Sequence, residues 1–174
     1  MLHNGRILLY NMRYYSLNRQ SPPVDFRAAT LAGQAPDGGL YFPESIPQFS
    51  ADFLKNLPNL SPADIAYTVM QPYVGDTIPE ADLRRICAET VDFPFPLVPV
   101  TEHIGALELF HGPTLAFKDV GARFMSRCLG YFSQGETASV TVLVATSGDT
   151  GGAVAHGFLG VPGVEVVILY PSGK

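Results

Sequence analysis

One lysine, Lys118, stands where the pattern around it is apolar, in the run His111-Gly112-Pro113-Thr114-Leu115-Ala116-Phe117-Lys118-Asp119-Val120-Gly121-Ala122-Arg123-Phe124-Met125. Read as helix, its neighbours are Leu115, Gly121, Ala122 and Met125, none of which pairs with an ammonium. Such surroundings desolvate an amine, favour its neutral form and make a nucleophile able to condense with an aldehyde. The alternative is an ordinary surface lysine whose stem covers apolar surface while its head reaches water. A second apolar stripe, Phe117, Val120, Phe124, Cys128 and Tyr131, leaves that helix only a narrow polar edge of Asp119, Arg123 and Ser126, so it is expected to be largely buried. Asp119 and Arg123 are spaced to pair along the edge, and Asp119 is a structural partner as readily as a catalytic one.

The second candidate is Thr146-Ser147-Gly148-Asp149-Thr150-Gly151-Gly152, between an apolar strand and a helix. Glycines free the backbone to turn, hydroxyls stand beside them, and the helix N-terminus offers unpaired N–H groups and a positive dipole end. Those features suit an anion. The plain alternative is a capped helix start, with Asp149 or Thr150 as the cap. No Gly-Lys-Ser/Thr follows and GxGxxG is not matched, which argues against a nucleotide. Location favours a ligand, because open parallel sheets bind theirs beyond the carboxyl ends of the strands.

These two segments need a scaffold to bring them together. From Val140 to Tyr170 the pattern is strand, helix, strand: Val140 to Ala145, Gly152 to Leu159 and Val164 to Tyr170, with a further strand at Leu107 to Phe110 ahead of the Lys118 helix. That spacing predicts a parallel crossover unit. The continuous run Val166 to Tyr170 reads as a strand buried on both faces, and its place four residues before Lys174 suggests the front part of a longer protein. Earlier in the chain, turn signals from Pro22 to Pro47 predict short strands and loops. Ser50 and Ser61 are placed as N-caps, and Pro79 opens a helix carrying Leu83, Ile86, Cys87 and Val91 on one face. Phe93-Pro94-Phe95-Pro96 reads as a linker, dividing a first domain, residues 13–95, from a second, residues 96–174, with residues 1–12 as an upstream extension.

Composition narrows the function classes. The 174 residues are 47% hydrophobic and 16% charged, as in a globular protein, and no apolar run is long enough to span a bilayer as a helix. A net charge of -5 without a basic cluster argues against nucleic acid as partner. Cys87 and Cys128 form no CxxC and fall on apolar helical faces, so they read as reduced core residues of a cytoplasmic protein. The four histidines lack metal-ligand spacing, and a metal is not expected.

The chain resembles threonine synthase, a pyridoxal-phosphate enzyme family of the tryptophan-synthase-β-like fold (fold type II). The resemblance rests on Ala35-Pro36-Asp37-Gly38-Gly39-Leu40-Tyr41-Phe42-Pro43, on Leu107 through Asp119 with its His111-Gly112-Pro113-Thr114, on Ala145 through Gly151, and on Leu169-Tyr170-Pro171. It implies an α/β fold: a small mixed N-terminal domain, then the beginning of a parallel-sheet, three-layer αβα catalytic domain. It further implies that Lys118 carries pyridoxal 5'-phosphate as a Schiff base and moves protons, and that Asp149 lies beside the cofactor. Ser147, Gly148, Thr150 and Gly151 are implied to hold the carboxylate of O-phospho-L-homoserine, which the family converts with water to L-threonine and phosphate. The family's glycine-rich loop for the cofactor phosphate and its residue at the pyridine nitrogen have no counterpart in the sequence. The chain alone is therefore expected neither to hold the cofactor tightly nor to turn over substrate. Uncovered sheet faces, at about 1.5–3 kcal/mol per large side chain, are expected to favour self-association. The other readings are a related enzyme such as a threonine dehydratase or tryptophan synthase β chain, a non-catalytic structural or interaction domain, and a nucleotide-binding module.

Overall fold

A computed structural model of the chain describes residues 11–135, 139–146 and 148–172. They form two compact units, residues 1–88 and 89–174, the division falling inside a helix.

In the first unit, strands β1 (Tyr14–Ser16) and β2 (Tyr41–Pro43) pair antiparallel, with Tyr15 opposite Phe42. Between them lies a helix that the turn-rich composition concealed: α1 (Phe26–Ala32), capped by Asp25, whose side chain accepts from the Ala28 N–H. The cap residue stands just before the first helical position, and Gly33 ends the helix in a left-handed turn (φ 68°). Helix α2 (Ala51–Asn56), a 3-10 turn (Leu57–Asn59) and α3 (Pro62–Val74) follow, with Ser50 and Ser61 accepting from the N–H groups of Phe53 and Asp64 as their spacing predicts. Helix α4 (Glu80–Thr90) contributes Leu83, Ile86 and Cys87, which with Val74 and Ile78 make the core of this unit.

The Asp37-Gly38-Gly39 turn is tied down by one carboxylate. Asp37 accepts from the Ser16 hydroxyl at 2.6 Å, the Gly39 N–H at 2.9 Å and the Gln20 N–H at 2.9 Å. The Ser16 hydroxyl first, and then the Gly39 and Gln20 N–H groups and Ser21, hold this carboxyl down to about 2 against the opposing effect of burial. A carboxyl depressed below its unfolded value near 3.9 stabilises the fold above pH ~4, and that contribution disappears as pH falls through the folded value. Asp37→Asn should therefore be less stable than the parent at neutral pH by a gap that closes only between about pH 4 and pH 2. Thermal unfolding of the two proteins across that range checks it; a gap unchanged down to pH 2 refutes the assignment.

In the second unit β3 (Leu97–Pro99) and β4 (Gly105–Leu107) form an antiparallel hairpin. The strand expected at Leu107 to Phe110 thus ends where it was expected to begin, and the segment placed beyond the proline-rich linker is its partner. Helix α5 (Asp119–Phe132) is followed by β5 (Val140–Ala145), α6 (Asp149–Phe158) and β6 (Val164–Leu169). β5 and β6 run parallel in strict register, Val140 beside Val164 through Ala145 beside Leu169, so β5–α6–β6 is the predicted crossover. Helix α6 packs on α5 closely enough that a Cβ on Gly157 would meet the Ala122 carbonyl carbon at 3.1 Å. Ala122, Cys128, Leu129, Phe132, Ala153, Val154 and Phe158 fill that core.

The expectation of a β6 buried on both faces does not hold among the described residues. Both strands alternate between half-buried and exposed positions: one face carries Val142, Val144, Val166 and Ile168, the other Leu143, Val167 and Leu169 in the open. A strand's side chains alternate faces, and within residues 139–172 only α6 is available to cover one of them.

Candidate active site

Residues 112–118 approach α5 through consecutive turns, the Leu115 N–H donating to the Gly112 carbonyl at 3.1 Å and the Asp119 N–H to the Ala116 carbonyl at 3.0 Å. Leu115 adopts a left-handed backbone (φ 60°), costly for a residue with a Cβ, and leaves its side chain exposed. Lys118 is consequently not inside the helix. It is the N-cap, with helical backbone (φ -68°, ψ -14°) and no side-chain cap bond, and its carbonyl accepts the Ala122 N–H at 3.0 Å. Gly121, Ala122 and Met125 line one cleft with it as the helical spacing requires, whereas the Leu115 side chain is exposed.

The amine has a counter-charge. Lys118 Nζ lies 3.9 Å from Asp149 Oδ2 and 4.4 Å from the centre of the Phe117 ring, with its side chain one-third exposed (33%). This corrects the expectation of a buried amine with no anionic neighbour. The sequence positions are 31 apart, so no helical spacing reveals the pair. With Asp149 open to solvent, the pair adds little to stability.

The expected Asp119–Arg123 pair does not form either. Asp119 is almost fully buried (1% exposed) and accepts twice from Thr114, from its hydroxyl at 2.6 Å and its N–H at 2.9 Å. Arg123 instead reaches Asp92 at 2.7 Å and the Glu89 carbonyl, and Arg127 reaches the Glu89 carboxylate at 3.0 Å. Helical spacing reveals neither the Thr114 contact nor the close approach of Gly112 to Asp119. The Gly-Pro-Thr turn signal five residues ahead of the acid was the only hint.

Across from Lys118 is the N-terminus of α6. Its cap is Gly148, with no side-chain cap bond, so neither Asp149 nor Thr150 caps the helix; Asp149 is its first residue. Thr146 extends the strand ladder by donating its N–H to the Leu169 carbonyl at 2.9 Å, and its hydroxyl accepts the Gly148 N–H at 3.3 Å. Glycine is required at 151, where a Cβ would come within 2.8 Å of the Thr146 methyl. Ser147 lies outside the described residues.

Lys118 and Thr150 line one open cleft of about 480 Å³, with Phe117, Gly121, Ala122, Met125 and Val154 as walls, and the Asp149 carboxylate stands at the amine. Gly148 and Gly151 line a different groove of about 320 Å³, with Thr146, Ile168 and Tyr170. The sequence-predicted residues thus gather at one helix terminus but face two sides of it. A larger groove of about 630 Å³, bordered by Tyr67, Gln71, Asp76, Glu80 and Leu83 in the first unit, is lined by no lysine. The first cleft offers a primary amine, a carboxylate, a hydroxyl and apolar walls, with open space above Gly121. That chemistry suits a flat aldehyde-bearing ring rather than a metal, and no metal-binding cluster of His, Cys, Asp or Glu occurs among the described residues.

Comparison with known proteins gives a consistent result. The family profile described as "Threonine synthase N terminus" matches residues 13–91. Threonine synthase of Escherichia coli K12 is 42% identical over 163 residues, covering 94% of this chain and 38% of that protein. The yeast enzyme, from Saccharomyces cerevisiae, is 40% identical over 181 residues, covering 92% of this chain and 35% of its own length. Among solved structures, a PLP-bound threonine synthase from Brucella melitensis superposes with a TM-score of 0.87 at 40% identity, covering 94% of this chain and 36% of that one. The Escherichia coli threonine synthase structure gives 0.84 at 42% identity, covering 94% and 38%. The chain therefore spans somewhat over a third of the length of the relatives it matches. Sequence and backbone match over nearly all of the chain and the profile over residues 13–91, in each case to the N-terminal portion of threonine synthases.

Proposed function

We propose that the chain is the front part of a pyridoxal-phosphate-dependent threonine synthase, a lyase of threonine biosynthesis that acts on O-phospho-L-homoserine and water in the cytoplasm. The observation that carries the proposal is the meeting of Lys118, Asp149 and Thr150 at one cleft. Lys118 would hold the cofactor through its amine and move a proton to and from the substrate Cα, within reach of a carboxylate 3.9 Å away. Bound pyridoxal phosphate supplies an electron sink for the charge left on that carbon. Asp149, 3.9 Å from the Lys118 amine, would lie beside the bound cofactor. Ser147, Gly148, Thr150 and Gly151 take the substrate carboxylate through hydroxyls and backbone N–H groups, as the uncapped start of α6 permits.

The remaining length of the family fold is proposed to supply the cofactor's phosphate site, so that this chain alone turns nothing over. The complete protein should release phosphate from O-phospho-L-homoserine and form L-threonine. Deamination of threonine without phosphate release would favour the dehydratase reading instead. A second reading, self-association, is favoured by the open strand face of Leu143, Val167 and Leu169. Sedimentation of the chain over a range of concentrations should show mass growing with concentration, and a monomer throughout would refute it.

A further inference from the structure

Ahead of α5 sits a contact that none of the steps above uses. Both oxygens of the buried Asp119 carboxylate accept from one residue, Thr114. Gly112 lies against the same carboxylate, with room for no side chain. Between Thr114 and Asp119 the chain makes a loop through the left-handed Leu115, whose exposed side chain gains nothing from packing there. A conformation of that kind persists only where its surroundings over-determine it. Here the pair of hydrogen bonds that Thr114 donates to Asp119 closes the loop. Lys118 is the last residue within it and the first whose carbonyl enters the α5 ladder, so its backbone is held from both sides.

We propose that Asp119, acting through Thr114, is a positioning residue for Lys118: it locks the N-cap turn so that the amine projects toward Asp149 and Thr150. The inference rests on the reading of Lys118 as the amine that receives the cofactor aldehyde. Geometry, not charge, is the means. In Asp119→Asn the amide oxygen still accepts the Thr114 N–H, and the amide nitrogen donates to the Thr114 hydroxyl, so the lock survives without its charge. Thr114→Val removes one bond and leaves a buried carboxylate oxygen without its donor.

The test uses the chain's three lysines, Lys55, Lys118 and Lys174. The 174-residue chain is incubated with pyridoxal phosphate, reduced with borohydride at timed intervals and mapped by peptide mass, with Lys55 in the same molecule as reference. Thr114→Val and Asp119→Ala are expected to slow labelling of Lys118 relative to Lys55 by about tenfold or more, while Thr114→Ser and Asp119→Asn stay within about twofold of the parent. If Asp119→Ala fails to fold, as its thermal unfolding would report, Thr114→Val carries the comparison. Labelling in Thr114→Val equal to the parent overturns the inference, and so does an Asp119→Asn as slow as Thr114→Val. A parent that labels Lys118 no faster than Lys55 sinks the reading of Lys118 itself; a parental preference that survives Thr114→Val sinks only the positioning role.

Discussion

Lys118→Ala is expected to abolish the specific pyridoxyl label that borohydride leaves on the parent chain, and to remove the accompanying visible absorption. Of the two lysines among the described residues, Lys55 and Lys118, only Lys118 sits in a cleft with a carboxylate near its amine and apolar walls able to cover a ring. Lys55, in the last turn of the short helix α2, has an ordinary exposed setting. In a complete protein the same change should lower phosphate release by on the order of 10⁴-fold or more, the scale seen when a nucleophile is removed from a working constellation. Lys118→Arg should fail as badly, since a guanidinium keeps the charge but offers no free amine. A Lys118→Ala protein that keeps the label at a new unique position, or retains phosphate release within tenfold of the parent, would show the chemistry to lie elsewhere.

Gly112→Ala should be among the most damaging single changes in the second unit. A Cβ there would sit 2.5 Å from Asp119 Oδ2, 3.0 Å from Asp119 Cβ and 3.0 Å from the Phe93 ring. Asp119 cannot swing aside without surrendering its bonds to Thr114, and it has almost no exposed surface through which water could replace them. Overpacking and a half-satisfied buried carboxylate together put the cost at about 2–5 kcal/mol, a large share of a domain's net stability. The measurement is the unfolding midpoint in denaturant, alongside the rate at which Lys118 takes the label. Both should fall. A midpoint equal to the parent's would mean that the turn relaxes freely, and the account of Gly112 as a close-approach residue would be lost.

Much of the scaffold was legible because local rules govern it. Ser50 and Ser61 precede their helices in the one position where a hydroxyl can take up an orphan N–H, and both do. The crossover β5–α6–β6 announced itself through two β-branched runs around a glycine-rich turn and an apolar helix. Helix α1 was hidden, because proline and glycine signals on either side outweighed a single capping aspartate. The β3–β4 hairpin was hidden too: strands of three residues are too short for their alternation to register.

Residue types and their order by themselves determined that this chain carries an amine in an apolar turn, a hydroxyl- and glycine-rich helix start, and a parallel crossover to hold the latter. They could not determine who stands beside whom. Helical spacing matched Asp119 with Arg123, whereas the folded chain turns that carboxylate back onto Thr114 and sends the arginine to Asp92. The same spacing left Lys118 without a partner, yet packing of α6 on α5 brings Asp149 to within 3.9 Å. Periodicity reports only neighbours on one element. A charge's true partner is chosen by the packing of elements far apart in sequence, where burial leaves each polar group few places to satisfy itself.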